Sequence, residues 1–310
     1  MPKVSVIMNC HNGEKFLREA MDSVFAQTYH DWEIVFWDND STDASALIAK
    51  SYGNDKVRYF HSPIKTNLGE ARRNAVNVAQ GEWLAFLDCD DLWYPEKLIV
   101  QMNALEDTDY VFAYAGILEM TSAGAPIRTV IPKYASGDIL EHLLNQFDVN
   151  MVTPVIRRRF LVENSINFDS EITASEEYNL FVRLAARGNV LVQRQILGSY
   201  RVYAGSLTDR QISRWAIERR MTLKQLSTEV PSVPRIYERA YREAERRGDY
   251  YEARYLVSSG KLNEARKIMR CIGVGDWRYK ILGFSLYIPG LWQVLHDNRV
   301  RRKLLSIMGR

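Results

Sequence analysis

GEWLAFLDCDDLWYPEKL, residues 81–98, opens on an apolar run from Trp83 to Leu87 and breaks into three carboxylates, Asp88, Asp90 and Asp91. An apolar run this short, bounded by turn-forming residues, suits a fully buried strand. Pro95 then suits the first turn of a helix expected over about 96–106, where its missing N–H costs no intrahelical bond. Alternate residues of extended chain share a side, so Asp88 and Asp90 can address one ligand. Carboxylates crowded at a strand end repel one another unless something positive lies between them. Hard oxygen ligands suit a divalent cation, Mn²⁺ or Mg²⁺, together with a diphosphate. The competing reading is a plain acidic turn in which Asp91 caps the next helix.

The surroundings turn the balance, because the same alternation extends outward. Val4 to Met8, Trp32 to Trp37, Val57 to Phe60 and Tyr110 to Tyr114 read as further strands. A helix from about Glu14 to Gln27 shows Phe16, Leu17, Ala20, Val24 and Phe25 on one face, and another is expected near 69–79. Ser41-Thr42-Asp43 reads as a helix N-cap. Repeated strand–helix–strand units imply a mostly parallel sheet between helices, whose ligands lie beyond the carboxyl ends of its strands. There the chain places Asn9-Cys10-His11-Asn12, Asp38-Asn39-Asp40 and Asp88-Cys89-Asp90-Asp91, more polar chemistry than stability needs. From about residue 213 only helical patterns follow: RWAIERRMTLKQL, RIYERAYREAERR, YYEARYLVSS and KLNEARKIMRC. The expected fold class is α/β: a domain over residues 1–210 with a mostly parallel central sheet flanked by helices, then a helical C-terminal region over 211–310.

Composition narrows the classes. The 310 residues are 46% hydrophobic and 25% charged, ordinary for a soluble globular protein. Three cysteines, Cys10, Cys89 and Cys271, make no disulfide framework and point to a reducing cytoplasm. Five histidines without Cys/His clustering argue against zinc. MPKVSVIMNC reads as a strand rather than a signal peptide, and no segment has the ~20 unbroken apolar residues of a transmembrane helix. Residues 1–234 carry 24 basic against 30 acidic side chains, whereas 235–310 carry 17 against 8. Such a split suggests two parts, the basic one facing an anionic surface. No nucleic-acid partner is expected, since the basic residues join no reading motif.

Five motifs in order carry a family resemblance over about the first 205 residues: VSVIMNCHNGEKFLREAMDSVFAQTY, WEIVFWDNDSTD, NLGEARRNAV, GEWLAFLDCDDLWYPEKL and SEEYNLFVRLA. The chain resembles the family-2, GT-A-type glycosyltransferases, which transfer sugars from nucleotide donors with inversion. The resemblance implies that Asp38 and Asn39 hold the donor's base and ribose, with Asn39 departing from the commonest acidic pair, and that His11 lies against the base. It implies a UDP-sugar as donor, Arg73 at the diphosphate or donor sugar, Asp88 on the sugar or ribose, and Asp90 on the metal. Both Arg72 and Arg73 are open to a solvated helix face, and one of the two is expected to lie there. Glu176-Glu177 matches the family's acidic pair, whose second member is usually Asp, and so implies Glu177 as general base with Glu176 beside it. A carboxylate is needed there to take the acceptor hydroxyl's proton as that oxygen attacks the anomeric carbon. Ser175 also reads as an N-cap with acidic residues in the first turn. SYRVYAGSLT resembles the segment closing the family's site, with Tyr203 where a histidine often stands.

Residues 279–295, YKILGFSLYIPGLWQVL, are apolar and aromatic, and Arg299, Arg301, Arg302 and Lys303 follow. They suit a segment lying on an anionic membrane, and equally a face packed on the catalytic domain or in a homo-oligomer. The acceptor implied is a saccharide or lipid-linked saccharide for surface polysaccharide, handled in the cytoplasm at the inner face of the cell membrane. Two other classes compete. A sugar nucleotidyltransferase wants a Gly-rich basic loop after the first strand, and NCHNGEKF offers one glycine and one lysine. A non-catalytic scaffold has no need of Asp88, Asp90 and Glu177.

Overall fold

The computed structural model describes residues 1–53, 55–203, 212–288 and 290–296. Nine strands form one sheet: β1 (Val4–Cys10), β2 (Trp32–Asp38), β3 (Val57–His61), β4 (Trp83–Phe86), β5 (Leu92–Trp93), β6 (Phe112–Thr121), β7 (Pro126–Val130), β8 (Val155–Arg157) and β9 (Val190–Val202). Their order is β3-β2-β1-β4-β8-β6-β9-β5, with β7 added beside β6. The half formed by β3, β2, β1 and β4 is parallel throughout, as its unbroken apolar runs predict. Beyond β4 the sheet is mixed: β8 runs antiparallel to both β4 and β6, while β6 and β9 pair in parallel along their length.

Strand ends differ from the sequence reading in one way that matters. β1 continues to Cys10 and β2 to Asp38, paired residue for residue, so Asp38 is the last strand residue and not part of a loop. The next helix starts at Ser45 with Ala44 in the cap position; of Ser41-Thr42-Asp43 only Asp43 serves it, its Oδ1 accepting from Ser45 N at 2.9 Å. These side chains also tie the loops after β1 and β2 together. Asn12 N donates to Ser41 Oγ, Glu14 N to Asp43 Oδ2, and Thr42 N to Asn12 Oδ1. Neighbouring parallel strand ends present free N–H groups that compete for the same oxygens.

One apolar layer packs helix Glu14–Phe25 onto Val4, Val6, Met8, Ile34 and Phe36. The opposite layer packs helices Leu140–Asn145 and Glu176–Ala185 onto Ile7, Val35, Phe86 and Phe112. Leu223, Leu226, Ala240 and Ala244 belong to that second layer, so the start of the helical region shares the core of the sheet. Most of RIYERAYREAERR and YYEARYLVSS fuses into one helix, Glu238–Ser258, which runs through Gly248, where a Cβ would crowd Arg219 at 3.2 Å. A separate small core of Ala253, Leu256, Met269, Ile272, Tyr279 and Trp292 holds the last helices together. The expected boundary at 210 lies outside the described residues. Among the described residues no helix is long and apolar enough to cross a membrane.

Helix Leu68–Val78 is capped by Asn67, whose side chain accepts from Glu70 N at 2.9 Å. Its first turn lies against backbone: a Cβ on Gly69 would stand 2.7 Å from Ile172 O and 2.9 Å from Asp169 O. Two backbones therefore touch just ahead of Glu176. Gly69→Ala should lower unfolding stability by about 1–3 kcal/mol through overpacking. An unchanged urea midpoint would show that the two segments can part at no cost.

Candidate active site

Three parallel strands end side by side, and their last residues build a floor. Asp38 is buried, accepting from Tyr59 Oη at 2.5 Å and Ser41 N at 2.9 Å. Burial and that carboxylate push the Tyr59 phenol up, so it stays a donor. Asn39 is also buried, donating through Nδ2 to Thr66 O and accepting through Oδ1 from Thr66 N and Oγ1. His11 Nδ1 is 3.0 Å from Asn39 O, with its ring half-buried. Asn12 and Asp40 sit at φ 57° and 62°, the left-handed region that asparagine and aspartate tolerate best among non-glycine residues.

Across the sheet end, β4 stops and carboxylates gather around one guanidinium. Arg72 is 1% exposed. Its Nη1 donates to Glu176 Oε1 at 2.8 Å, and its Nη2 donates to Asp88 Oδ1 and Oδ2 at 2.8 and 3.0 Å. Glu177 Oε1 lies 3.6 Å from the same Nη1. Arg73, the arginine indicated by the family resemblance, points elsewhere and donates to Ser170 Oγ at 3.3 Å. One guanidinium thus serves three carboxylates. The imbalance shows in their protonation. Burial, then the neighbouring Glu177, pushes Glu176 up to about 7 despite Arg72, and burial raises Glu177 as well. Glu176 is enclosed, with 4% of its side chain open, whereas Glu177 keeps 33% open. Of the pair, only Glu177 can meet an incoming hydroxyl.

The remaining aspartates divide their tasks. Asp91 is buried and accepts from Arg201 N at 2.8 Å, so it ties the acidic turn to β9. Asp90 accepts from the Tyr203 hydroxyl at 2.9 Å, and its backbone carbonyl accepts from Arg201 Nε at 2.7 Å. Burial, then Asp88, raises Asp90, with Tyr203 opposing. Tyr203 therefore touches Asp90 in the position where the family often has histidine.

Glu218 is the functional side chain that sequence reasoning missed. Fully buried on helix Ile212–Glu229, it accepts from Thr173 N, Thr173 Oγ1, Ala174 N and Ser175 Oγ at 2.8–2.9 Å. Ser175 holds the N-cap position of the Glu176 helix, with Glu176 and Glu177 in its first turn as expected, but makes no side-chain cap bond; its hydroxyl donates to Glu218 instead. The loop that delivers Glu176 and Glu177 is held from the helical region.

Among the described residues no group of three or more His, Cys, Asp or Glu side chains is arranged to hold a metal by itself. The donor set nevertheless fits a partly substrate-built cation site. Mg²⁺ and similar ions are commonly held by one or two carboxylates, with phosphate oxygens and water completing the shell. Asp88 is 32% open, Asp90 keeps one oxygen unclaimed by Tyr203, and the cluster carries more negative charge than its arginines balance.

A parallel half-sheet with polar strand ends, closed by mixed strands and followed by helices, defines a GT-A-type fold. Residues 5–161 match the model of glycosyl transferase family 2, and the chain belongs to that family. The match takes in Arg72, Asp88 and Asp90 and stops short of Glu176. An uncharacterized glycosyltransferase of Rickettsia felis is 28% identical over 218 residues, covering 69% of this chain and 35% of that protein, so the match spans about a third of the relative's length. The Escherichia coli protein named UDP-Glc:alpha-D-GlcNAc-diphosphoundecaprenol beta-1,3-glucosyltransferase WfgD is 26% identical over 189 residues, 60% of this chain and 71% of its own. S. aureus TarS 1-349 in complex with UDP-GlcNAc superposes with a TM-score of 0.63 at 16% identity, covering 96% and 92% of the two chains. The mannosyltransferase PcManGT of Pyrobaculum calidifontis, solved with GDP-Man and Mn²⁺, gives 0.57 at 14%, covering 95% and 86%.

Replacing Arg72 by methionine leaves its carboxylates facing one another in a buried site. Arg72→Met should cost about 3–5 kcal/mol of stability at pH 8. The freed carboxyls then have folded-state pKa values further above their unfolded ones, so the folded form binds the extra protons and the deficit shrinks as pH falls. Melting curves at pH 8 and pH 5 test this; a deficit equal at both would deny the repulsion.

Proposed function

We propose that the chain is an inverting, hexosyltransferase-type glycosyltransferase. It takes a sugar from a nucleotide-diphosphate donor, a UDP-sugar foremost, and delivers it to a saccharide or lipid-linked saccharide acceptor in surface polysaccharide or glycoconjugate synthesis. The observation that carries this reading is Glu177: a partly exposed carboxylate of raised pKa, beside the Asp88–Asp90 turn at a nucleotide-type strand end. The donor named for WfgD, its diphosphoundecaprenol acceptor and the UDP-GlcNAc of the TarS complex support it.

In this reading Asp38 and Asn39 form the floor beneath the base and ribose, with His11 beside them. Arg72 holds Asp88 toward the donor sugar, and Arg73 stands on the outer side of the same helix. Asp90, braced by Tyr203 and Arg201, would hold a divalent cation, Mn²⁺ or Mg²⁺. Such an ion, when bound, neutralises charge on the departing diphosphate; PcManGT was solved with Mn²⁺. The acceptor oxygen attacks the anomeric carbon as its proton passes to Glu177. The bond from that carbon to the diphosphate oxygen breaks, and its electron pair leaves with the diphosphate. Attack from the face opposite the leaving group inverts the centre. We assign catalysis to residues 1–210, with helix Ile212–Glu229 supporting it, and place the enzyme in the cytoplasm at the inner face of the cell membrane.

The direct test is nucleotide release by the purified protein from UDP-, dTDP- and GDP-sugars, with and without Mn²⁺ or Mg²⁺. Metal-stimulated release from one donor is expected, and silence with no nucleotide binding by calorimetry would overturn the reading. Glu177→Gln should lose on the order of 10²–10⁴-fold in transfer while binding donor as wild type does. Because a base acts only when deprotonated, kcat/KM should climb with pH above the ordinary carboxylate range and then level off. A rate already flat at pH 5 would remove Glu177 from that role.

A further inference from the structure

Helix Trp277–Ser285 is apolar on two sides. One side joins the small C-terminal core through Tyr279 and Leu282. The other presents Trp277, Ile281 and Phe284, spaced as one helical face and 71, 56 and 64% exposed; Tyr287 and Ile288 extend it through the following turn. A helix at a protein–water boundary normally turns polar residues outward. A continuous aromatic and aliphatic outer face marks a surface made to be covered.

Beside it opens a cavity of about 560 Å³, and Trp277 belongs to both. Arg239, Arg246 and Arg247 of helix Glu238–Ser258 line this cavity together with Arg278. Arg278 is paired with Asp276 and Glu243, and Arg247 reaches Glu243 at 3.6 Å. Glu141, Glu243 and Asp276 line the same cavity, and Arg246 helps to hold the Asp276 carboxyl low, but among the described residues neither Arg239 nor Arg246 is within ion-pair distance of a carboxylate, and the buried Nε of Arg247 has no hydrogen-bond partner. From Lys261 to Lys280 the chain adds six basic residues against two acidic ones, Glu264 and Asp276. The basic run Arg299–Lys303 lies outside the described residues, so the positive charge identified here comes from other positions.

We infer that this face docks the protein onto an anionic phospholipid bilayer. Trp277, Ile281 and Phe284 enter the boundary between headgroups and acyl chains, and the arginine-lined cavity takes headgroup phosphate. Guanidinium groups match phosphate oxygens in geometry as well as charge, and aromatic side chains settle at the same depth. A second copy is the poorer occupant, because a symmetric contact would bring the same arginines together. The inference goes beyond the sugar-transfer reading and does not rest on it, since vesicle binding is read without donor or acceptor.

The test is co-sedimentation of the full chain with vesicles of phosphatidylcholine alone and of phosphatidylcholine mixed with phosphatidylglycerol. Binding is expected to the anionic vesicles, at least tenfold tighter than to the neutral ones, and to weaken with salt. Ile281→Glu with Phe284→Glu should abolish it without shifting the melting temperature, because both side chains already face solvent. Arg239→Ala with Arg246→Ala should reduce the preference for phosphatidylglycerol tenfold while leaving donor hydrolysis unchanged. Absence of binding by the wild-type chain, equal binding to both vesicle types, or binding that survives the glutamate pair would each overturn the inference. So would a dimer in light scattering that those glutamates dissociate, which would assign the face to a second copy. Loss of vesicle binding with donor hydrolysis intact separates failure here from failure of the transferase reading.

Discussion

A buried guanidinium among carboxylates is the constraint on which the rest of the structure depends. An arginine taken out of water is tolerated only when its charge is answered closely, and Arg72 is answered by Asp88, sixteen residues away, and by Glu176, 104 residues away. To meet those partners, β4 must end at the turn carrying Asp88, and the Glu176 helix must begin at the same point. Helix Leu68–Val78 must also come in so close that only glycine fits at 69. The folding requirement and the site requirement are therefore one requirement. A single positive charge cannot neutralise three carboxylates, so the fold completes itself around a cluster still wanting positive charge.

The strand ends were legible because their signal is local. Apolar runs closed by Asp, Asn and His need no knowledge of distant residues, and the parallel half of the sheet followed from them. The choice between Arg72 and Arg73 was also legible, in helical phase. Arg72 shares its face with Ala75, Val76 and Ala79, all buried, while Arg73 shares its face with Asn77 and Gln80, both exposed. Following family order alone put the weight on Arg73; following the period of the helix puts Arg72 inside. Ser175 holds its N-cap position and Asp43 takes the N–H of Ser45, but the hydroxyls of Ser41 and Ser175 make no cap bond, for the opposite reason. A hydroxyl satisfies whichever partner the tertiary structure brings, and at both places a distant segment outcompeted the local helix.

The same tertiary competition explains why the helical region is not a mere appendage. On helix Ile212–Glu229, Glu218, Thr222, Gln225 and Glu229 form a polar stripe one helical face wide. It meets Asn179 and Arg183 on the helix that begins with Glu176, and Arg187 in the turn just after it. Asn179 donates to Thr222 and Gln225, Arg183 and Arg187 grip Glu229, and Glu218 takes the loop ahead of the helix. Buried polar contacts fix register more sharply than apolar ones, because a slip leaves several groups unpaired at once. Neither group is conspicuous alone, since each reads as an ordinary solvated face; only their complementarity shows that they meet. The position of the Glu176–Glu177 pair is thus set from both sides, by Arg72 in the sheet domain and by Glu218 beyond it.

Tyr203 shapes what the acidic turn can do. Burial and the neighbouring aspartates hold its phenol up, so it remains a neutral hydroxyl that donates to Asp90. An imidazole at that position has a lone pair to offer a cation; a phenol that stays protonated and spends its hydrogen on Asp90 offers far less. What Tyr203 supplies is orientation: with Arg201 on the backbone carbonyl, it fixes Asp90 in one rotamer and leaves one carboxylate oxygen for a ligand. Under the transferase reading, the protein contributes a pre-aimed but incomplete set of oxygens, and the donor's diphosphate must contribute the rest. The cation would then be held by Asp90 together with the donor, and Asp90 alone would hold it weakly. Metal binding and donor binding would then be coupled, because the carboxylate cluster and the diphosphate are both negative and a cation would offset both.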